Sequence, residues 1–259
     1  MTTTLSFQIS ELVPYINWTY FYHTWGIKEE LAGELTSEAH AILERWTREG
    51  RQTYFRVGLF SAHSRDEDIV LYHTPSHNKS TVLPLLRQQH PPFLCLADFV
   101  PPTDMTAEKI GVFASTVPFN VDGLAEQTLA DRLAEATAER GHEIVRRRIW
   151  GYAPHESLCP KELFAERYTG KRPAVGYPSL PDQSLNFLIA HLLDFLSLGI
   201  TLTENGAMSP HASTSGLMFA HPSCKHFSVG AIGEDQLQDY ASRRGLPTDF
   251  LRRFIEVIS

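Results

Sequence analysis

The run Arg172-Pro-Ala-Val-Gly-Tyr-Pro-Ser-Leu-Pro181 gathers residue types that can hold a small charged molecule. Its prolines and its glycine fix an irregular backbone path, which leaves N–H and C=O groups outside any ladder and open to a ligand. Arg172 offers a planar fork for a carboxylate or phosphate. Tyr177 offers an aromatic face with a polar tip. The same composition would also serve a proline-stiffened connector carrying a surface arginine. A second run, Leu202 to Gly216, is small and polar between apolar elements. Small side chains admit close approach of a large partner or cofactor, and a plain polar loop has the same composition.

Other chemistries are excluded by spacing. His142-Glu143 begins like the HExxH zinc motif, but Arg146 occupies the second histidine position, so a solvated helix face is expected there. The 12 histidines form no convincing ligand frame, and no metal is expected. Cys95, Cys159 and Cys224 are far apart without a CxxC pair, which argues against a zinc knuckle or disulfide framework and for a reducing, cytoplasmic setting. There is no GxGxxG, P-loop or GxSxG motif.

The elements that must position these residues follow from periodicity. The 259 residues are 42% hydrophobic and 20% charged, enough apolar surface to fold. A net charge of −7 gives no basic face for nucleic acid. No apolar run reaches the length of a membrane span, and the first residues lack the pattern of a signal peptide. Ala39, Ile42, Leu43 and Trp46 predict a helix over 36–49. Strands are predicted over 54–60 and 69–73 with a hairpin loop from Ser61 to Asp68, and over 93–100 and 109–116 through Pro101-Pro102-Thr103-Asp104. The longest helix, 124–150, buries Leu129, Leu133, Ala136 and Ile144 and turns Asp131, Arg132, Glu135, Glu139 and Arg140 to solvent, with a kink at Gly141. Residues 152–181 read as irregular. A helix over 183–198 buries Leu185, Leu188, Ile189, Leu192 and Leu196; a strand over 226–232 and helices over 234–244 and 249–258 follow. Neighbouring strand pairs predict an α+β fold with an antiparallel sheet, and no composition break divides 1–259 into two domains.

These residues also carry a resemblance. Arg56-Val-Gly-Leu-Phe60, Leu96-Ala-Asp-Phe-Val100, Leu129-Ala-Asp-Arg-Leu-Ala-Glu135, Trp150-Gly-Tyr-Ala-Pro154, Arg172-Pro-Ala with Gly176-Tyr-Pro178, and Leu202-Thr-Glu204 with Ala207-Met208 stand in one order. Ser215-Gly216, Phe219-Ala-His-Pro222, and Asp235-Gln236 with Asp239-Tyr-Ala241 complete the series. In that order, over nearly the whole chain, they resemble the activation domain of cobalamin-dependent methionine synthase.

The resemblance implies a single C-shaped α+β domain, with a bent antiparallel sheet flanked by helices. It implies binding of S-adenosylmethionine and docking over cobalamin held by a partner domain or protein. One electron from a flavodoxin-type donor and the methyl group of S-adenosylmethionine would return cob(II)alamin to methylcobalamin. Arg172 would pair with the ligand carboxylate, and the backbone near Ala174 and Gly176 would meet the adenine end. Tyr177 would face the corrin, nearest the chemistry. His226 and Phe227 align with ligand-lining aromatic positions, and Asn17 with an acidic contact. Asn17 stands where the family has Asp, and His226 where Tyr is usual. The chain lacks Asp-x-His-x-x-Gly, the source of a cobalt ligand in base-off corrinoid carriers, and has no room for the homocysteine, folate and cobalamin modules. Either a stand-alone reactivation module acting in trans or a fragment of a larger enzyme is therefore expected, the polar tail after Met1 favouring the former, working with corrinoid-binding methionine synthase modules, without nucleic acid or membrane. The rival readings are a non-catalytic docking module or chaperone for a corrinoid protein and its electron donor, and a reactivation module of another corrinoid methyltransferase system.

Overall fold

A computed structural model describes residues 2–28, 32–74, 76, 78–102 and 108–255. Its strands are β1 (Thr2–Gln8), β2 (Gln52–Arg65), β3 (Asp68–Tyr72), β4 (Ser80–Pro84), β5 (Lys109–Thr116), β6 (Thr201–Leu202), β7 (Met208–Ser209) and β8 (Ser213–Met218). Six of them form one antiparallel sheet in the order β4-β3-β2-β5-β8, with β1 also on β2. The 14-residue β2 is its axis: the first half pairs with β1, the second with β3, and β5 lies along the other edge.

Helices α1 (Ile9–Leu12), α2 (Trp18–Thr24), α3 (Gly33–Arg48) and α4 (Gly123–Ile144) precede α5 (Pro160–Phe164), α6 (Leu185–Leu193), α7 (Glu234–Arg244) and α8 (Thr248–Leu251). Among the described residues, no helix is long and apolar enough to cross a membrane. Alternation along the strands sends side chains to opposite faces, and here both faces are buried. Phe55, Val57 and Phe113 pack with Leu43 and Trp46 of α3 and Leu129 and Leu133 of α4. Phe60, Ala62, Val112 and Leu217 pack with Leu185, Ile189 and Leu192 of α6. A smaller core joins Leu86, Val229 and Leu237 to Leu251 and Phe254.

The central strands β2, β3 and β5 and the long helices α3 and α4 follow the periodicity, while several expected boundaries move for local reasons. The 61–68 loop shrinks to Asp66 and Glu67, because Ala62 and Ser64 point inward and keep β2 in strand register. Residues 93–100 are no strand. Asp98 accepts the Cys95 N–H at 2.8 Å and winds Leu96–Phe99 into a 3₁₀ turn. Thr103 and Asp104 of the connector lie outside the described residues. The 183–198 helix stops at Leu193, where Arg56 Nη1 takes the Leu193 and Asp194 carbonyls at 2.8 and 3.1 Å. Asp194 turns left-handed (φ 50°), and a 3₁₀ turn, Phe195–Leu198, leaves Leu196 75% exposed instead of buried. Residues 226–232 form no strand, since Val229 N–H and Ser228 C=O bond to Pro178 and Gln88. Positions 256–258 of the final predicted helix lie outside the described residues. The N-terminal β1 and the edge strands β4 and β8 carry no strong apolar alternation and escape the pattern.

Gly141 leaves α4 one continuous α-helix, Gly123–Ile144. It lets the helix approach the sheet: a Cβ there would stand 2.5 Å from the buried ring of Phe55. Gly141→Ala therefore displaces Phe55 and destabilises the protein by about 1–3 kcal/mol, although alanine is the better helix former by about 1 kcal/mol. Urea unfolding checks this, and a midpoint at or above wild type would refute the contact.

Candidate functional site

Residues 171–181 form a strap across β8. Val175 N–H donates to Ser215 C=O at 2.9 Å, Leu217 N–H donates to Pro173 C=O at 3.0 Å, and Lys171 and Phe219 exchange both backbone bonds. The strap runs so close that a Cβ on Gly216 would lie 2.2 Å from Pro173 O. Ser215 and Gly216, the small residues at the end of the 202–216 run, thus admit the protein's own strap. The strap also uses backbone groups expected to be open. Gly176 N–H donates to Leu180 C=O at 2.8 Å and Tyr177 N–H to Ala174 C=O at 3.2 Å.

Beside the strap lies a cavity of about 450 Å³, within the range of about 300–1,000 Å³ usual for small-molecule sites. The N-terminal segment contributes Tyr15, Asn17 and Tyr20, and α4 contributes Arg132, Glu135 and Glu139. Leu163 and Phe164 of α5, then Glu166, close one side; Arg172 and Tyr177 close the other. Asn17 caps α2, its Oδ1 accepting the Tyr20 N–H at 3.4 Å. Tyr177 is half-exposed, and its hydroxyl donates to Glu135 Oε1 at 2.9 Å. Burial and the Glu135 charge push the phenol up to about 12.

Arg172 is no surface fork. Its side chain is 11% exposed, over the Phe113 ring, and Nη2 donates to Glu139 Oε2 at 3.0 Å. Burial opposes the charge, but Glu139 raises the Arg172 pKa on balance. Among the described residues, Arg172 Nε, Arg132 Nε and Glu139 Oε1 are buried without a hydrogen-bond partner. His226 stands behind the cavity wall, with Nε2 3.1 Å from Glu166 Oε1. Burial pushes the Glu166 carboxyl up, but the His226 and Lys171 contacts outweigh it and hold the pKa low. Phe227 packs against two of the cores and does not line the cavity.

Behind the cavity the helix after Ile144 widens into a π turn, Val145–Ile149, and turns Arg146 fully inward. Arg146 Nε and Nη2 grip both Glu156 oxygens at 2.6–3.0 Å, and its guanidinium lies 4.0 Å from the Tyr168 ring centre. His142 is fully buried, edge-on to Tyr168 at 5.1 Å, and burial holds its pKa well below the usual value. The 142–143 pair is therefore not a solvated face. Glu143 accepts from the Tyr15 hydroxyl at 2.5 Å and from Arg140 at 2.7 Å.

Of the residues singled out from sequence, Asn17, Arg172 and Tyr177 meet at the cavity. Ala174 and Gly176 form the strap between the last two. Sequence reasoning missed Arg132, Glu135, Glu139 and Glu166 as cavity residues. The first three were assigned to the solvent face of the helix. Their signal is the spacing 132, 135, 139, 142, 146, a polar stripe that reads as solvated until another segment covers it.

The profile of the vitamin B12 dependent methionine synthase activation domain matches residues 8–245. The chain belongs to this family. It is also similar to a crystal structure of the MetH reactivation domain bound to AdoHcy, with a TM-score of 0.90 and 35% sequence identity. That match covers 98% of this chain and 89% of the other. The α+β architecture is thus that of the activation-domain family.

The Arg146–Glu156 fork closes the back of this site. Glu156→Ala strands a fully buried guanidinium, and a loss of about 3–5 kcal/mol is expected. Denaturant unfolding measures it, and a loss within experimental error would show that Glu139 alone suffices.

Proposed function

We propose that the chain binds S-adenosylmethionine in the cavity between α4 and the strap, and presents its methyl group to cob(II)alamin held by a corrinoid-binding methionine synthase module. When bound, S-adenosylmethionine supplies the methyl group for reductive methylation, with the electron coming from a flavodoxin-type donor. The observation that carries this reading is the pairing of unsatisfied guanidinium donors with carboxylates on one cavity. Arg172 Nε and Arg132 Nε lack partners, as a site for a carboxylate requires. Glu135 and Glu166 face the same space and complement an ammonium and a sulfonium. The similar MetH reactivation domain was crystallised with AdoHcy, which shares the adenosyl and amino-acid parts of this ligand.

Each residue has a role in this reading. Arg172 orients the amino-acid end. The strap turn at Ala174 and Gly176 meets the adenosyl end. Tyr177, held by Glu135, forms the exposed lip toward the partner with Tyr20 and Phe164. His226 acts on the site through Glu166, and Phe227 supports the wall from the core. The residues have no proton to move at the reacting carbon; they position the ligand and exclude water. The exposed aromatic lip also suits the rival reading, a docking module that meets the corrinoid partner without a ligand. Calorimetry with S-adenosylmethionine separates the two, because a pure docking module shows no heat at millimolar ligand.

Two substitutions test the site. Arg172→Lys keeps a cation beside Glu139 but loses the fork. Affinity should fall about 10- to 100-fold, the worth of a charged hydrogen bond, with the unfolding midpoint little changed. Unchanged affinity would remove Arg172 from the site. Asn17→Asp preserves the cap on α2 and adds a negative charge facing the cationic ligand. Tighter binding, weakened by salt, is expected, and no gain would show that position 17 does not sense the ligand.

A further inference from the structure

Arg172 is the cation on which the proposed ligand site depends, yet the protein already fills part of its fork. We propose that Glu139 is an internal stand-in for the ligand carboxylate. It holds Arg172 in the free protein, and binding is an exchange in which Arg172 turns to the incoming carboxylate and Glu139 takes up one proton from solvent. This rests on the reading of the cavity as an S-adenosylmethionine site.

The geometry of two arginines in the same chain makes the case. Arg146 and Glu156 form a fork in which Nε and Nη2 meet both carboxylate oxygens at 2.6–3.0 Å, the pattern of a permanent buried ion pair. Arg172 and Glu139 share a single contact, Nη2 to Oε2 at 3.0 Å. The other halves of both groups, Arg172 Nε and Glu139 Oε1, are buried without hydrogen-bond partners, Oε1 having only the ion-pair contact with Arg146 Nη1 at 3.9 Å. A half-made pair leaves its polar atoms unsatisfied and favours any arrangement that completes them. Both residues line the cavity, so a ligand reaches Arg172 without opening the fold.

The surroundings dictate where the charge goes after the exchange. Glu139 faces Arg172 from the strap and Arg146 from the π turn, with Arg146 Nη1 3.9 Å from Oε1. Glu135 and His142 share α4 with it, while Glu166 and Tyr168 approach from the segment before the strap. Burial raises the Glu139 pKa on balance, and Arg172 is the strongest force opposing that rise, ahead of Arg146. Once Arg172 turns away, Arg146 remains committed to Glu156, neutral His142 adds no charge, and Glu166 repels the carboxylate. The carboxylate then accepts H⁺ from the buffer and becomes a neutral acid, with no electron moved. The exchange also makes a carboxylate a requirement of the ligand, since a molecule without one cannot displace Glu139.

Uptake of one proton makes binding weaken as pH rises, by up to about tenfold per unit in the window between the free and bound pKa of Glu139. The test is calorimetry of S-adenosylmethionine binding in buffers of different ionisation enthalpy, near about pH 6.5, where the ligand amine stays protonated. Wild type should take up about one proton. Glu139→Gln should take up none, bind about tenfold tighter, and lose the pH slope. Glu139→Asp withdraws the carboxylate but keeps the charge; it should bind tighter with uptake retained, and it decides the matter if the glutamine variant does not fold. Equal proton uptake in wild type and Glu139→Gln, or weaker binding by the variants, overturns the exchange and leaves Glu139 as a support for Arg172. Absence of binding by all three proteins overturns the reading of the cavity and the exchange with it.

Discussion

A single buried cation organises this protein's candidate site. Arg146 has no exposure to water, and an arginine cannot shed its charge. Everything around it answers that constraint. Glu156 supplies a two-oxygen grip and so draws the segment after Trp150 back over the helix. Tyr168 places its ring against the guanidinium and so fixes the start of the strap. Glu139 stands at 3.9 Å on the cavity side, where it meets Arg172. The helix that carries Arg146 must widen by a residue to aim it inward, and π turns of this kind recur at functional sites. The cavity is thus the outer side of a charge cluster whose inner side is a buried fork.

The sheet serves this cluster by being covered on both faces. One face of β2 and β5 supports α4, the helix that bears Arg132, Glu135 and Glu139. The neighbouring edge strand, β8, supports the strap that bears Arg172 and Tyr177. The two walls of the cavity therefore rest on one rigid sheet, and their spacing is set by strand pairing and not by loop conformation.

Sequence pattern reveals the parts of this arrangement that depend on apolar periodicity. The helix over 36–49, the helix over 124–150 up to its π turn, the central strands and the α+β class follow from Ala39, Trp46, Leu129 and the alternation of Tyr54 to Phe60. Arg172 and Tyr177 were legible because their types suggest ligand contact and their stretch matches the family, and Asn17 through the family resemblance alone. The polar face of α4 was not. Glu135 and Glu139 differ from solvated residues only in being roofed by segments far away in sequence. His142 and Arg146 are read as surface for the same reason, since burial of a charge is a property of the partner that covers it. The edge strand β8 hides because Ser213, Ser215 and Gly216 are small, the feature that lets the strap cross it. Local boundaries slipped where one side chain overrules propensity, as Asp98 does at Cys95 and Arg56 at the end of α6.

The pairing of β8 with β5 sets the order in which the site can be built. The Thr116–Ser213 contact at the end of this ladder joins residues 97 apart, with α4 and the whole strap between them. Closing so long a loop is slow, because its entropy cost precedes the contacts that offset it. During synthesis, β1, β2, β3 and α4 leave the ribosome before β8 exists. Arg172 has no shelf to lie on until β8 emerges, so the cavity takes shape only after the chain has passed Met218. A nascent or truncated chain ending before Met218 would hold a folded helix face of carboxylates with no strap over it.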